Sequence, residues 1–134
     1  MNKVLIVDDE PKIRTILTRL LKDEGYSVAE AESGEKALEI ARCFRPDVIL
    51  MDIVMPRMNG IETMSAIGRI LPTSKTIMMT AYGSNEISND AMEKGAYDYL
   101  TKPFDNNKLL HLVRRALATA SNQKGRERLA AKED

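Results

Sequence analysis

Five times along this chain a short apolar run gives way to a longer segment in which apolar residues recur every third or fourth position. The runs are "VLIV", "YSVAEA", "DVILM", "TIMM" and "YDYL". A strand-length run followed by a helical period, repeated, is the signature of βα units and a parallel sheet. That pattern constrains the fold more than any other feature of the sequence. It predicts a single α/β domain over residues 1–120, a size that can bury a real core.

The punctuation agrees. Pro11 stands where a first helical turn tolerates it, and Ile13, Ile16, Leu17, Leu20 and Leu21 form one stripe before Gly25. Ser33 is a natural N-cap for a helix carrying Ala37, Leu38, Ala41 and Phe44, which Pro46 ends. "IVMPRMNG" reads as a loop, and Ile61, Met64, Ile67 and Leu71 as a helix closed by Pro72. A fourth helix runs around Ile87, Ala91 and Met92 to Gly95; the last carries Leu109, Leu112, Val113, Ala116 and Leu117. After Ala120 the period fades into "SNQKGRERLAAKED". Residues 121–134 read either as the frayed end of that helix or as the start of an interdomain linker. Composition favours a solvated charged tail.

In an open parallel sheet the carboxyl ends of all strands line one edge, and ligands bind there. The first strand ends in Asp8 and Asp9, the third in Asp52, the fourth in Thr80, the fifth in Thr101 and Lys102. The second ends in Ala31 and Glu32, which suits an outer strand away from the site. Asp47 belongs at the opposite edge. Asp98 lies inside the fifth strand, between Tyr97 and Tyr99, both of buried type. Three carboxylates in one crevice cannot all stay ionised cheaply without a cation. Hard oxygen ligands of this number suit Mg2+. Lys102 and Thr80 would offer a positive charge and a hydrogen bond to phosphoryl oxygens, and a carboxylate can itself be the nucleophile.

The stretches "VLIVDDEP", "DVILMDIVMPRMNG", "TIMMTAYG" and "GAYDYLTKPF", in that order and at these spacings, resemble the receiver domain of bacterial two-component response regulators over about residues 1–120. The resemblance implies a flavodoxin-like sheet in the order 2-1-3-4-5 with helices on both faces. It implies that Asp52 is the phosphoacceptor, that Asp8, Asp9 and Asp52 hold Mg2+ with the main-chain carbonyl of Val54, and that Lys102 pairs with the phosphoryl group. Thr80 and Tyr99 match the switch residues, and Lys102–Pro103 is expected to be cis. Val54 and Tyr82 hold the positions that tune phosphoryl lifetime, and an apolar Val54 implies slow self-dephosphorylation.

The implied function is a phosphorylation-activated switch, not an enzyme: it accepts a phosphoryl group from a sensor histidine kinase and assists its own phosphorylation and dephosphorylation. The surface of the fourth helix, fifth strand and last helix would change to control an output, with transcription regulation the expected setting. The "GAYDYLTKPF" stretch also looks like receivers that precede an ATPase and a DNA-binding domain. A homodimer on activation fits the same reading.

Composition narrows the alternatives. Twenty basic and twenty acidic residues cancel, so no net charge draws the domain to nucleic acid or membrane. A single cysteine, Cys43, excludes an internal disulfide and fits a cytoplasmic setting; the opening apolar run is too short for a leader. A phosphatase with an aspartate nucleophile would want an acid at position 54, where Val stands. A flavin carrier would want a Ser/Thr/Gly phosphate loop where "DDEP" stands. A degenerate receiver serving only for dimerisation would not keep a complete site. Taken alone, Asp8 and Asp9 could be acids favoured by a helix dipole, and Tyr99 a core ring. His111 and Cys43 read as structural, and Met51, Met55, Met78 and Met79 as packing.

Overall fold

The computed structural model describes residues 2–81 and 85–133, with side chains for all of these except 85, 128 and 130–133. Strands and helices alternate: β1 (Lys3–Val7), α1 (Pro11–Asp23), β2 (Ser27–Ala31), α2 (Gly34–Phe44), β3 (Val48–Asp52), α3 (Gly60–Ile70), β4 (Lys75–Thr80), α4 (Asn85–Glu93), β5 (Asp98–Thr101) and α5 (Asn106–Glu133). All strand pairs are parallel, in the order β2-β1-β3-β4-β5.

The unbroken apolar runs are explained by cover on both faces. Side chains alternate across a strand, so Leu5, Val7, Ile49, Met51 and Met78 meet Ala37, Ala41, Met64, Ile67 and Ala91 from α2, α3 and α4. Val4, Ile6, Val48, Leu50, Ile77 and Met79 meet Leu17, Leu21, Leu109, Val113 and Ala116 from α1 and α5. Each fully buried Leu, Ile or Met contributes roughly 2 kcal/mol of transfer free energy, and the central strands are made of little else. Met51, Met55, Met78 and Met79 are all buried, as packing residues should be. The caps also behave as expected. Ser33 accepts from the Lys36 N–H (3.1 Å), and Pro11 opens α1.

Four side chains depart from the sequence reading. Ile16, counted in the stripe of α1, is 60% exposed: Leu17 and Leu21 define the buried line, and Ile16 sits one residue, about 100°, away from it. Cys43, expected to pack, is exposed on α2. His111 is exposed on α5. Tyr99, read as of buried type, is 37% exposed, because β5 is an edge strand.

The stretch after Ala120 continues the last helix. The helix continues to Glu133 although, among the described residues, Ala120 is the last of its buried hydrophobic residues. Lys, Arg, Glu, Gln, Leu and Ala are good helix formers and extend a helix that packing has already nucleated. Two side chains tie its start to the amino edge of the sheet: Lys75 donates to Gln123, and Lys124 pairs with Asp47. Asp47 also accepts from the Lys3 N–H (3.0 Å), which places it at that edge as expected. No helix among the described residues is long and apolar enough to cross a membrane.

Candidate functional site

The carboxyl edge of the sheet brings Asp8, Asp9 and Asp52 together: carboxylate oxygens of all three lie within 4.8 Å of one another. Each is placed by backbone pairing. The Asp8 N–H donates to the Ala31 carbonyl (3.1 Å) just past the β1–β2 ladder, and Asp52 closes β3 opposite Met79. Gly60 lets α3 start hard against that strand end; a Cβ there would lie 2.3 Å from the Asp52 carbonyl oxygen. The Gly60 N–H donates to the Ile53 carbonyl (2.9 Å), and Asn59 caps the helix by accepting from the Glu62 N–H (2.9 Å).

Lys102 is carried to the same place from beyond β5, its N–H donating to the Thr80 carbonyl (2.7 Å). The Lys102–Pro103 bond is cis, as expected. Its ammonium lies 3.0 Å from Asp8 Oδ2 and 3.6 Å from Asp52 Oδ2. Asp8 Oδ1 accepts from the Glu10 N–H (2.9 Å) and Asp52 Oδ1 from the Val54 N–H (3.2 Å). Val54 therefore meets Asp52 through its main-chain nitrogen, while its side chain is 54% exposed.

Thr80 is fully buried at the end of β4, in register with Thr101, at the edge the sequence assigned to it. Tyr99 pairs with Met78 in the sheet and is partly exposed. Tyr82 lies outside the described residues.

One ammonium among three carboxylates leaves the site short of positive charge. Asp8 and Asp52 are buried, which distinguishes this cluster from acids scattered on a surface. Burial pushes the Asp52 carboxyl from 3.8 up to about 6, with Asp8 and Asp9 adding to the rise and Lys102 opposing it. Burial alone would pull the Lys102 ammonium down. Its hydrogen bond to Asp8 and the charges of Asp52, Asp8 and Glu10 outweigh that and hold it above the ordinary lysine value. A hard divalent cation fits this donor set: oxygen ligands only, few of them protein-borne, and one acid, Asp9, open to solvent.

Sequence reasoning missed Arg14. Its Nη1 donates to the main-chain carbonyl of Asp8 (2.6 Å), and its Nε lies 3.5 Å from Glu30 Oε1. The available signal was its place one turn after Glu10, in the first turn of the helix that rises from the acid pair.

The profile of the response regulator receiver domain matches residues 4–114. The regulatory protein AtoC of Escherichia coli is 39% identical over 124 residues, covering 92% of this chain and 27% of AtoC. The chemotaxis protein CheY of Listeria monocytogenes is 38% identical over 117 residues, 87% of this chain and 98% of CheY. The chain thus spans about a quarter of one relative and nearly all of the other. Among solved structures, CheY in the CheX–CheY–BeF3–Mg2+ complex of Borrelia burgdorferi superposes with a TM-score of 0.78 at 33% identity, over 84% of this chain and 86% of that one. With this fold, and with its acids and lysine gathered at one sheet edge, the chain belongs to the response regulator receiver domain family.

Proposed function

We propose that Asp52 is a phosphoacceptor and that the domain is switched by its phosphorylation, with a sensor histidine kinase as donor. The observation that carries this reading is the placement of a buried carboxylate, pushed up to about 6, within reach of one ammonium and beside two further acids. An Asp52 oxygen attacks phosphorus, the P–N bond of the phosphohistidine breaks, and the imidazole leaves with that electron pair. Attack requires the ionised carboxylate, which Lys102 favours. After transfer, Lys102 pairs with a phosphoryl oxygen.

Asp8, Asp9, Asp52 and the Val54 carbonyl would hold Mg2+. When bound, the ion neutralises charge on the acids and on the incoming phosphoryl oxygens. The Borrelia relative, solved with Mg2+ and BeF3, supports that choice. Thr80, at the end of β4, is the hydroxyl that would move toward the new group; Tyr99, partly exposed here, would turn in as it moves. The α4–β5–α5 surface then changes and acts on an output. We place that output in transcription, by analogy with the similar transcriptional regulatory protein ZraR of Escherichia coli, with residues 1–120 as the receiver and 121–134 as the connector to it. Homodimer formation on activation and a cytoplasmic location belong to the same reading. The exposed apolar Val54 offers nothing to orient an attacking water, so the phosphoryl group is expected to persist; a half-life of seconds in the purified domain contradicts this.

The test is treatment with acetyl phosphate and Mg2+, read by intact mass. One phosphoryl adduct is expected, absent in Asp52→Asn. No adduct, or one that survives Asp52→Asn, overturns the proposal.

A further inference from the structure

Asp8 is anchored at every polar group it has. Its N–H donates to Ala31, its two carboxylate oxygens accept from Glu10 N–H and from Lys102, and its carbonyl accepts from Arg14. Asp9 is the opposite case. Its side chain is exposed, and among the described residues it forms no hydrogen bond or ion pair. The backbone therefore sets where its Cα and Cβ stand, and with them the region its carboxylate can reach.

The relevant piece of backbone is the Asp8–Asp9 peptide. It is planar, so the Asp8 carbonyl oxygen and the Asp9 Cα turn together. The Arg14 Nη1, 2.6 Å from that oxygen, fixes the plane. Arg14 is itself well held. Its side chain is 15% exposed, its N–H donates to the Glu10 carbonyl (3.2 Å), and its Nε lies 3.5 Å from Glu30 on β2. Hydrogen bonds from a charged donor in such a setting are about twice as strong as neutral ones, enough to hold one peptide plane.

We infer that Arg14 is a positioning residue for the metal site: through the Asp8–Asp9 peptide it fixes the Asp9 Cα so that the Asp9 carboxylate can reach the side of those of Asp8 and Asp52, and Glu30 orients Arg14. This rests on the Mg2+ reading proposed above. β2, which supplies no ligand, thereby takes part in the site through Glu30.

A guanidinium near three acids has a second effect of opposite sign. As a cation it repels Mg2+, so removing its charge favours binding. The two roles therefore predict opposite results for a neutral replacement. The experiment titrates Mg2+ calorimetrically into the full 134-residue chain and into Arg14→Met, Arg14→Lys and Glu30→Gln, with urea unfolding of each metal-free form alongside.

Positioning predicts that Arg14→Met weakens Mg2+ by about tenfold, the usual scale for a residue that orients a ligand. Arg14→Lys, which keeps one donor but not the fork, should fall between it and wild type. Glu30→Gln, which keeps an acceptor for Nε, should stay within about twofold of wild type. Tighter binding by Arg14→Met with Arg14→Lys unchanged would show a charge effect only and overturn the inference. Lower metal-free stability with an unchanged Mg2+ affinity would show a structural role only and overturn it too. If wild type itself takes no Mg2+, the metal reading fails and this inference with it. If wild type binds and Arg14→Met binds equally well, this inference alone fails.

Discussion

Asp52 is the residue at which the chemistry costs stability. Its carboxyl titrates near 6 in the folded chain against 3.8 ordinarily. A raised carboxyl pKa means that the folded state holds the proton more tightly than the unfolded one, so stability falls as pH rises through 3.8 and levels off above about 6. At pH 7 in EDTA the penalty is about 2–3 kcal/mol. Asp52→Asn should therefore be more stable than wild type at pH 7 by that order, with the difference vanishing near pH 4. Urea midpoints across this range check it, and an Asp52→Asn variant less stable than wild type at pH 7 contradicts it. The acids and Lys102 were legible in the sequence because they end strands, and strand ends share one edge. Arg14 was not, because it lies on a helix face and acts on a main-chain carbonyl, which no side-chain pattern records.

Among the elements, the strands were the most legible, since an unbroken apolar run has few other uses. Helix faces were less so. Ile16 stood in the stripe of α1 by spacing but falls outside the buried line, and Tyr99 alternated correctly yet lies on an edge strand where one neighbour is missing. The end of α5 was hardest, because among the described residues no hydrophobic side chain beyond Ala120 is buried, which leaves no period to read. Among the described residues, its ties to the domain are those of Gln123 with Lys75 and Lys124 with Asp47. Partly exposed polar ties of this kind are worth about 1 kcal/mol or less each. Removing residues 121–134 should thus leave a folded domain, with a urea midpoint implying a loss of roughly 1 kcal/mol. A loss of several kcal/mol would place the extension inside the folding unit.

For the molecule as a whole, four segments separated by most of the chain converge on one edge, and the cost of gathering like charge there is the reason a cation belongs to the design. Saturating Mg2+ should raise wild-type stability at pH 7 by about 1–3 kcal/mol, as any ligand of the native state does. Asp9→Ala should lose most of that gain while keeping the fold, since Asp9 is exposed and unbonded among the described residues. An equal gain in Asp9→Ala argues that the ion binds elsewhere.

The central claim is that one particular carboxylate receives the phosphoryl group. Borohydride reduces an aspartyl phosphate to homoserine, which marks the residue that carried it. After treatment with acetyl phosphate and Mg2+, then borohydride, peptide mass spectrometry should find homoserine at position 52 and nowhere else. Homoserine at Asp8 or Asp9, or at no position, would contradict the account.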